Sequence, residues 1–278
     1  MNATRRADDI STSTVIERFP VWADAVSRRH SRRAFDGRAL EEAALDEMGR
    51  LCEEFRPYPD ARVALVREPG AALFTGIVGS YGKVTGAPHA LAVIAREDSP
   101  AALCHAGYTG EALILEATSF GLDTCWVGGF FDRRKASALI PHDQDERILA
   151  VSPLGHALGS DTARERLMRA LAGAHRRKPV SELAPGAEGQ WPAWALAAVE
   201  AARTAPSAMN RQPWRFRLEG GALVVSRDSA IEVPRVTKAL DCGIAMLHAE
   251  VGALAAGARG SWYDCDADGL DVARYVPE

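Results

Sequence analysis

An α+β fold is predicted from three observations. Apolar stretches of strand length stand at ARVALV (61–66), PHALAVIA (88–95) and ERILAVSPLGHA (146–157). Helical patterns of unequal length interrupt them, without the regular strand–helix alternation of a doubly wound sheet. A second series of helix, hairpin, helix and strands follows a small-residue stretch at 184–190.

The elements read in order as follows. Residues 1–18 are polar and lack the apolar core of a signal peptide, so they read as a mobile leader. Residues 19–29 pattern as a short amphipathic helix that runs into the basic stretch RRHSRRAFD. Residues 40–55 pattern as a second helix, with Leu45, Met48 and Leu51 on one face and acidic residues early, as the helix dipole prefers. RPYPD is a loop, and the strands at 61–66 and 88–95 follow. Residues 99–120 carry a long helical pattern that Gly121 ends as a C-cap. DTCWV reads as a strand, GGFFD as a turn, and 132–139 as a short helix. After the strand at 146–157, residues 161–174 are helical and their last turn enters HRRKP.

APGAEGQ (184–190) is the linker candidate. Residues 19–183 and 191–278 are then expected as two halves. In the second, 191–203 is a helix, WRFRL and ALVVS form a hairpin across Glu219-Gly-Gly, and 240–256 is a helix ended by Gly257. RGSWYDCDA and LDVARYVP close the chain as strands. One constant offset pairs Gly107, Ala117, Gly121 and Trp126 with Gly243, Ala253, Gly257 and Trp262. Each long helix ends in Gly, and a Trp follows shortly after. The second half therefore reads as a degenerate copy of the first.

Composition sets limits on function. Hydrophobic residues make up 47% and charged residues 25%, ordinary values for a folded chain. The net charge of −4 gives no basic field for nucleic acid. No apolar run has the length of a membrane span. The five cysteines form no CxxC pair, which argues against a disulfide framework and against a zinc site. They read as reduced thiols of a cytoplasmic protein.

Three stretches carry chemistry, and each also has a plain structural reading. In Arg29-His-Ser-Arg-Arg-Ala-Phe35, basic and hydroxyl side chains follow a helix, which suits a phosphate. A solvated basic patch has the same composition. In Ala205-Pro-Ser-Ala-Met-Asn-Arg-Gln-Pro-Trp214, two prolines stiffen a loop that presents Ser207, Asn210 and Gln212. Such groups can bond a polar ring edge, or cap their own turn. In Gly121-Leu-Asp-Thr-Cys-Trp-Val-Gly-Gly-Phe-Phe-Asp132, adjacent glycines let backbone N–H groups approach a flat ligand. They equally make an ordinary strand-to-helix turn.

Together these stretches resemble the nitroreductase family. RHSRRAFD is similar to its opening FMN-phosphate motif, and APSAMNRQPW to its Pro-Ser-x-x-Asn-x-Gln-Pro-Trp loop. GLDTCWVGGF is similar to the stretch under the flavin ring, and ILAVSPLGHA to the strand after it. The resemblance implies a nitroreductase-like fold, with mixed or antiparallel sheets flanked by helices, and bound FMN. It also implies electron transfer from NADH or NADPH to a small organic acceptor. By position, Arg29, His30 and Ser31 would hold phosphate and ribityl oxygens, and Arg176 or Arg177 would complete the phosphate site. Arg33 would reach the pyrimidine edge, joined by Lys83 of GKVTGAPH. Trp126, Gly128 and Gly129 would lie along the ring, with backbone N–H near N5. Pro206, Ser207, Ala208 and Asn210 would close the pocket.

One departure carries weight. In ordinary members the Pro-Ser-x-x-Asn loop lies about one helix after the Arg-x-Ser motif, and two chains lend it to each other. Here that early position reads FRPYPDARV, and the loop appears only after the linker. This resembles the branch in which one chain contains both halves of the dimer. One FMN per chain is expected, in a monomer or a homodimer. The same fold also serves flavin destruction and dehalogenation, and a flavin store that does no catalysis would keep the pocket. No side chain reads as an obligatory acid or base. Cys125 falls in a buried strand without a basic neighbour, and His105 and His248 read as packed or surface residues.

Overall fold

The computed structural model describes residues 9–74, 84–96, 99–129, 131–159, 176–187, 189, 191–231, 237–265 and 269–278. Two long helices lie at its centre, α3 (Pro100–Ser119) and α7 (Lys238–Ala255). Both are built almost wholly of small and apolar residues, so neither has a solvent face and each must bury itself all round. They pack against each other. A Cβ on Gly107 would collide with the Leu240 carbonyl, and one on Gly243 with the Cys104 carbonyl. These two glycines are what let the backbones approach so closely.

Each long helix stands between two pairs of strands. Before α3 come β1 (Ala61–Arg67) and β2 (His89–Arg96); after it come β3 (Asp123–Thr124) and β4 (Glu146–Gly155). Around α7 stand β5 (Trp214–Glu219), β6 (Ala222–Arg227), β7 (Gly260–Asp264) and β8 (Asp271–Pro277). The sheets are antiparallel with orders β1-β2-β4-β3 and β5-β6-β8-β7. The same strand order, with a long helix between the second and third strands in sequence, therefore occurs twice. Gly220 and Gly221, both at positive φ, make the tight β5–β6 turn.

The remaining helices are α1 (Asp9–Arg28), α2 (Glu42–Glu54), α4 (Arg133–Leu139), α5 (Val180–Leu183) and α6 (Ala193–Arg203). Helix α1 corrects the sequence reading: it begins at Asp9, so 9–18 are helical where a leader was expected. Val15, Trp22 and Ala25 are buried on one face of it. Trp22 Nε1 donates to Glu116 Oε2 at 2.7 Å, and Arg18 bridges Glu116 at 2.9 Å and Glu47 at 2.7 Å. Polar anchors hold this helix as much as apolar ones, and its low hydropathy hid it. The DTCWV strand is also shorter than expected, with only two residues in β3. The linker candidate is packed rather than exposed at Ala184 and Ala187. The helix expected over 161–174 lies outside the described residues. Among the described residues, no helix is long and apolar enough to cross a membrane.

Candidate functional site

The last turn of α1 delivers Arg29 to the interior, with its backbone N–H on Ala25 O at 2.8 Å. The side chain is buried beside α3, and Nε stands 3.6 Å from Glu111 Oε1. That is an ion pair beyond hydrogen-bond reach. Nε and Nη1 are buried without a hydrogen-bond partner among the described residues. The chain then runs extended along the first sheet. Ser31 bridges Thr124 in parallel, Arg32 N donates to Thr124 O at 2.8 Å, and Thr85 N donates to Arg33 O at 2.9 Å. The first basic motif is thus fixed against the start of the GLDTCWVGG stretch.

The second basic run reaches the same place. Arg177 Nη1 donates to Ala205 O at 3.1 Å and to Asn210 Oδ1 at 2.8 Å. Burial, then the positive charges of Arg29 and Arg203, pull the Arg177 pKa down to about 10. Arg177 itself is half-buried.

The 205–213 loop is spliced to this tail. Asn210 Nδ2 donates to Arg176 O at 2.9 Å. Gln212 accepts from Lys178 N at 2.8 Å through Oε1, and Nε2 donates to Arg176 O at 3.1 Å. Gln212 N donates to Ser207 Oγ at 2.9 Å. Asp241 on α7 holds the loop from below, accepting from Ala208 N at 3.2 Å and Arg211 Nε at 2.8 Å. Met209, Asn210 and Gln212 all have positive φ, between 47° and 54°. Such a backbone costs about 1–3 kcal/mol per residue and persists only where its surroundings over-determine it. The stiff loop expected from the two prolines is present. Its amides are spent largely on the tail.

Trp126 completes the group. Its indole N–H donates to Glu111 Oε2 at 2.6 Å, and Gly128 and Gly129 follow, half-buried. A Cβ on Gly128 would meet nothing within 4 Å, so the backbone there is approachable.

Of the residues singled out from sequence, Arg29 and Trp126 meet at Glu111, and Arg177, Asn210 and the Arg176 carbonyl form a second bonded group. Ser31 and Arg33 lie on the strand-like run beside Thr124 and Thr85, and His30 is exposed. Ser207 accepts from Gln212 N within the loop, Ala208 N is held by Asp241, and Pro206 is buried. Lys83 lies outside the described residues. Cys125, His105 and His248 are buried. The sequence reading did not single out Glu111 or Asp241. Each is one of two carboxylates in a largely apolar helix, and that oddity was the available signal.

The chain matches the model of the family described as "Putative TM nitroreductase" over residues 22–253. It belongs to that family, and so to the nitroreductase class of oxidoreductases. A solved structure from Thermotoga maritima, described as a "putative nitroreductase", is 22% identical with a TM-score of 0.58, covering 92% of this chain and 93% of that one. A nitroreductase family protein from Streptococcus pneumoniae is 15% identical with a TM-score of 0.45, over 58% of this chain and 98% of its own. An FMN-dependent nitroreductase from Clostridium difficile is 16% identical with a TM-score of 0.39, over 50% and 89%. A search among curated proteins finds no match.

Proposed function

We propose that this chain is an FMN-dependent oxidoreductase that passes electrons from NADH or NADPH to a small nitroaromatic or quinone-type acceptor. The observation that carries this reading is the buried Arg29 beside the half-buried Arg177. Arg29 has two nitrogens without a hydrogen-bond partner among the described residues, and Arg177 stands close enough to feel its charge. A buried cation that is only partly answered costs several kcal/mol. A phosphate supplies both the missing charge and the missing acceptors. The donor set therefore fits the phosphate end of FMN.

In this reading His30 and Ser31 bind beside Arg29, and Arg176 stands with Arg177. Arg33 and Lys83 face the pyrimidine edge, where a cation about 4 Å away stabilises negative charge by up to roughly 4 kcal/mol at an effective dielectric near 20. Trp126, Gly128 and Gly129 lie along the ring, and Pro206 to Asn210 close the pocket. FMN when bound supplies the hydride chemistry, with donor and acceptor visiting in turn. The chain's residues bind, orient and tune. The repeated strand order and the reciprocal glycine contacts support two halves in one chain, with one FMN per chain.

The test is a visible spectrum of the purified protein, followed by anaerobic addition of NADH or NADPH. A yellow protein should bleach and then reoxidise with a quinone or nitroarene. A yellow protein that neither nucleotide bleaches would leave a flavin store in place of an enzyme. A colourless protein that FMN cannot reconstitute would sink the cofactor assignment.

A further inference from the structure

Glu111 sits where four parts of the chain meet. It is wholly buried on α3. Oε2 accepts the Trp126 indole N–H at 2.6 Å. Oε1 faces His248 Nε2 at 2.9 Å and Arg29 Nε at 3.6 Å. The indole packs closely on α3 at Gly110, where a Cβ would fall 2.6 Å from Trp126 Cη2. His248, equally buried on α7, presents Nδ1 to Ala201 O at 3.3 Å and Thr204 Oγ1 at 3.4 Å. Thr204 already donates to Ala201 O at 2.7 Å, so both act toward Nδ1 as acceptors. The ring is then flanked by acceptors on both sides, and a proton must sit between Nε2 and Oε1. Thr204 leads directly into the 205–213 loop.

We propose that Glu111 is the positioning residue of the cofactor site. Its carboxylate aims the Trp126 indole and the Arg29 guanidinium at one ligand, and His248 braces it from the second half. This rests on the FMN reading above, and concerns how the pocket is held in shape. The carboxylate touches the pocket's walls rather than its occupant. A buried charged knot can also be merely structural, so the test needs a matched control. Tyr108 provides one. Its hydroxyl donates to Glu250 at 2.7 Å across the same two helices.

Glu111→Gln can keep the bonds to the indole and to His248 and loses only the 3.6 Å ion pair with Arg29. Its oxygen accepts from the indole and its amide donates to a neutral His248 Nε2. Glu111→Leu removes them all. Flavin-free protein is titrated with FMN and the dissociation constants are compared. Glu111→Gln should bind within three-fold of wild type, and Glu111→Leu at least ten-fold more weakly. Tyr108→Phe should lower the melting temperature yet bind within two-fold of wild type. If Glu111→Leu does not fold, His248→Phe takes its place, with the same ten-fold loss expected. In the flavin-free protein the Trp126 indole N–H, assigned in NMR by its loss in Trp126→Phe, should be exchange-protected and shift in Glu111→Gln. The proposal is overturned if Glu111→Leu binds FMN like wild type, if Tyr108→Phe loses as much, if Glu111→Gln falls as far as Glu111→Leu, or if the indole N–H is unprotected. A wild type that binds no FMN sinks the cofactor reading, whereas FMN bound equally by wild type and Glu111→Leu sinks this one alone.

Discussion

Arg29 enters the interior with a charge that Glu111 answers only at 3.6 Å. Arg29→Met keeps an apolar stem of similar length, and Glu111 retains Trp126 and His248 as partners, so the fold should survive. A charge-assisted hydrogen bond is worth about 1.5–3 kcal/mol. FMN affinity should therefore fall by about ten- to a hundred-fold, read by fluorescence titration of the flavin-free protein. A fall of less than three-fold would place the phosphate elsewhere. The arginines were legible in the sequence because basic runs beside hydroxyls and prolines form a local pattern. Glu111 and His248 were not, because their meeting spans 137 positions and neither has a patterned neighbourhood. Asn210 was legible as a loop residue. That its amide serves Arg177 and the Arg176 carbonyl depends on a tail 34 residues upstream.

At the scale of elements, the crossing of α3 and α7 depends on what is missing from Gly107 and Gly243. Gly243→Ala should gain up to about 1 kcal/mol of helix propensity. It must also push a methyl into the Cys104 carbonyl, and overpacking of that kind costs about 1–3 kcal/mol. The clash should win. Gly49→Ala on α2 meets only Leu65 Cδ2 at 3.8 Å, so the propensity gain should win there. Urea denaturation of the two variants should thus show opposite signs; a stabilised Gly243→Ala would remove the close crossing. Most elements were readable because their periodicity is strong: the buried runs of β2 and β4, the long apolar helices, and the Gly-Gly hairpin. Helix α1 was misread over 9–18 because its serines, threonines and Asp9 dilute the apolar stripe. Strand β3 was overextended because Cys125 and Trp126 look like strand residues. Trp126 instead leaves the sheet to reach Glu111.

At the scale of the whole molecule, a second polar knot links the two sheets. His105 on α3 is buried, with Nδ1 on Asp60 Oδ1 at 2.8 Å and Nε2 on Asp264 Oδ1 at 2.9 Å. Tyr58 stacks on its ring at 3.8 Å. Asp60 precedes β1 of the first sheet, and Asp264 ends β7 of the second. Burial opposes the charge on His105, but the hydrogen bonds to Asp264 and Asp60 outweigh it and raise the pKa from 6.5 to about 9. A group whose folded pKa lies above its unfolded one stabilises fully below the unfolded value. That contribution fades as pH climbs through the folded value. The imidazolium should thus contribute on the order of 3 kcal/mol at pH 6, and little above pH 9. His105→Gln can still hydrogen-bond but carries no charge, so its deficit against wild type should be largest near pH 6 and shrink as pH passes 9. Denaturation midpoints for both proteins across that range measure this. A deficit constant with pH would mean that His105 links the two sheets as a neutral ring, and that the link does not depend on its charge.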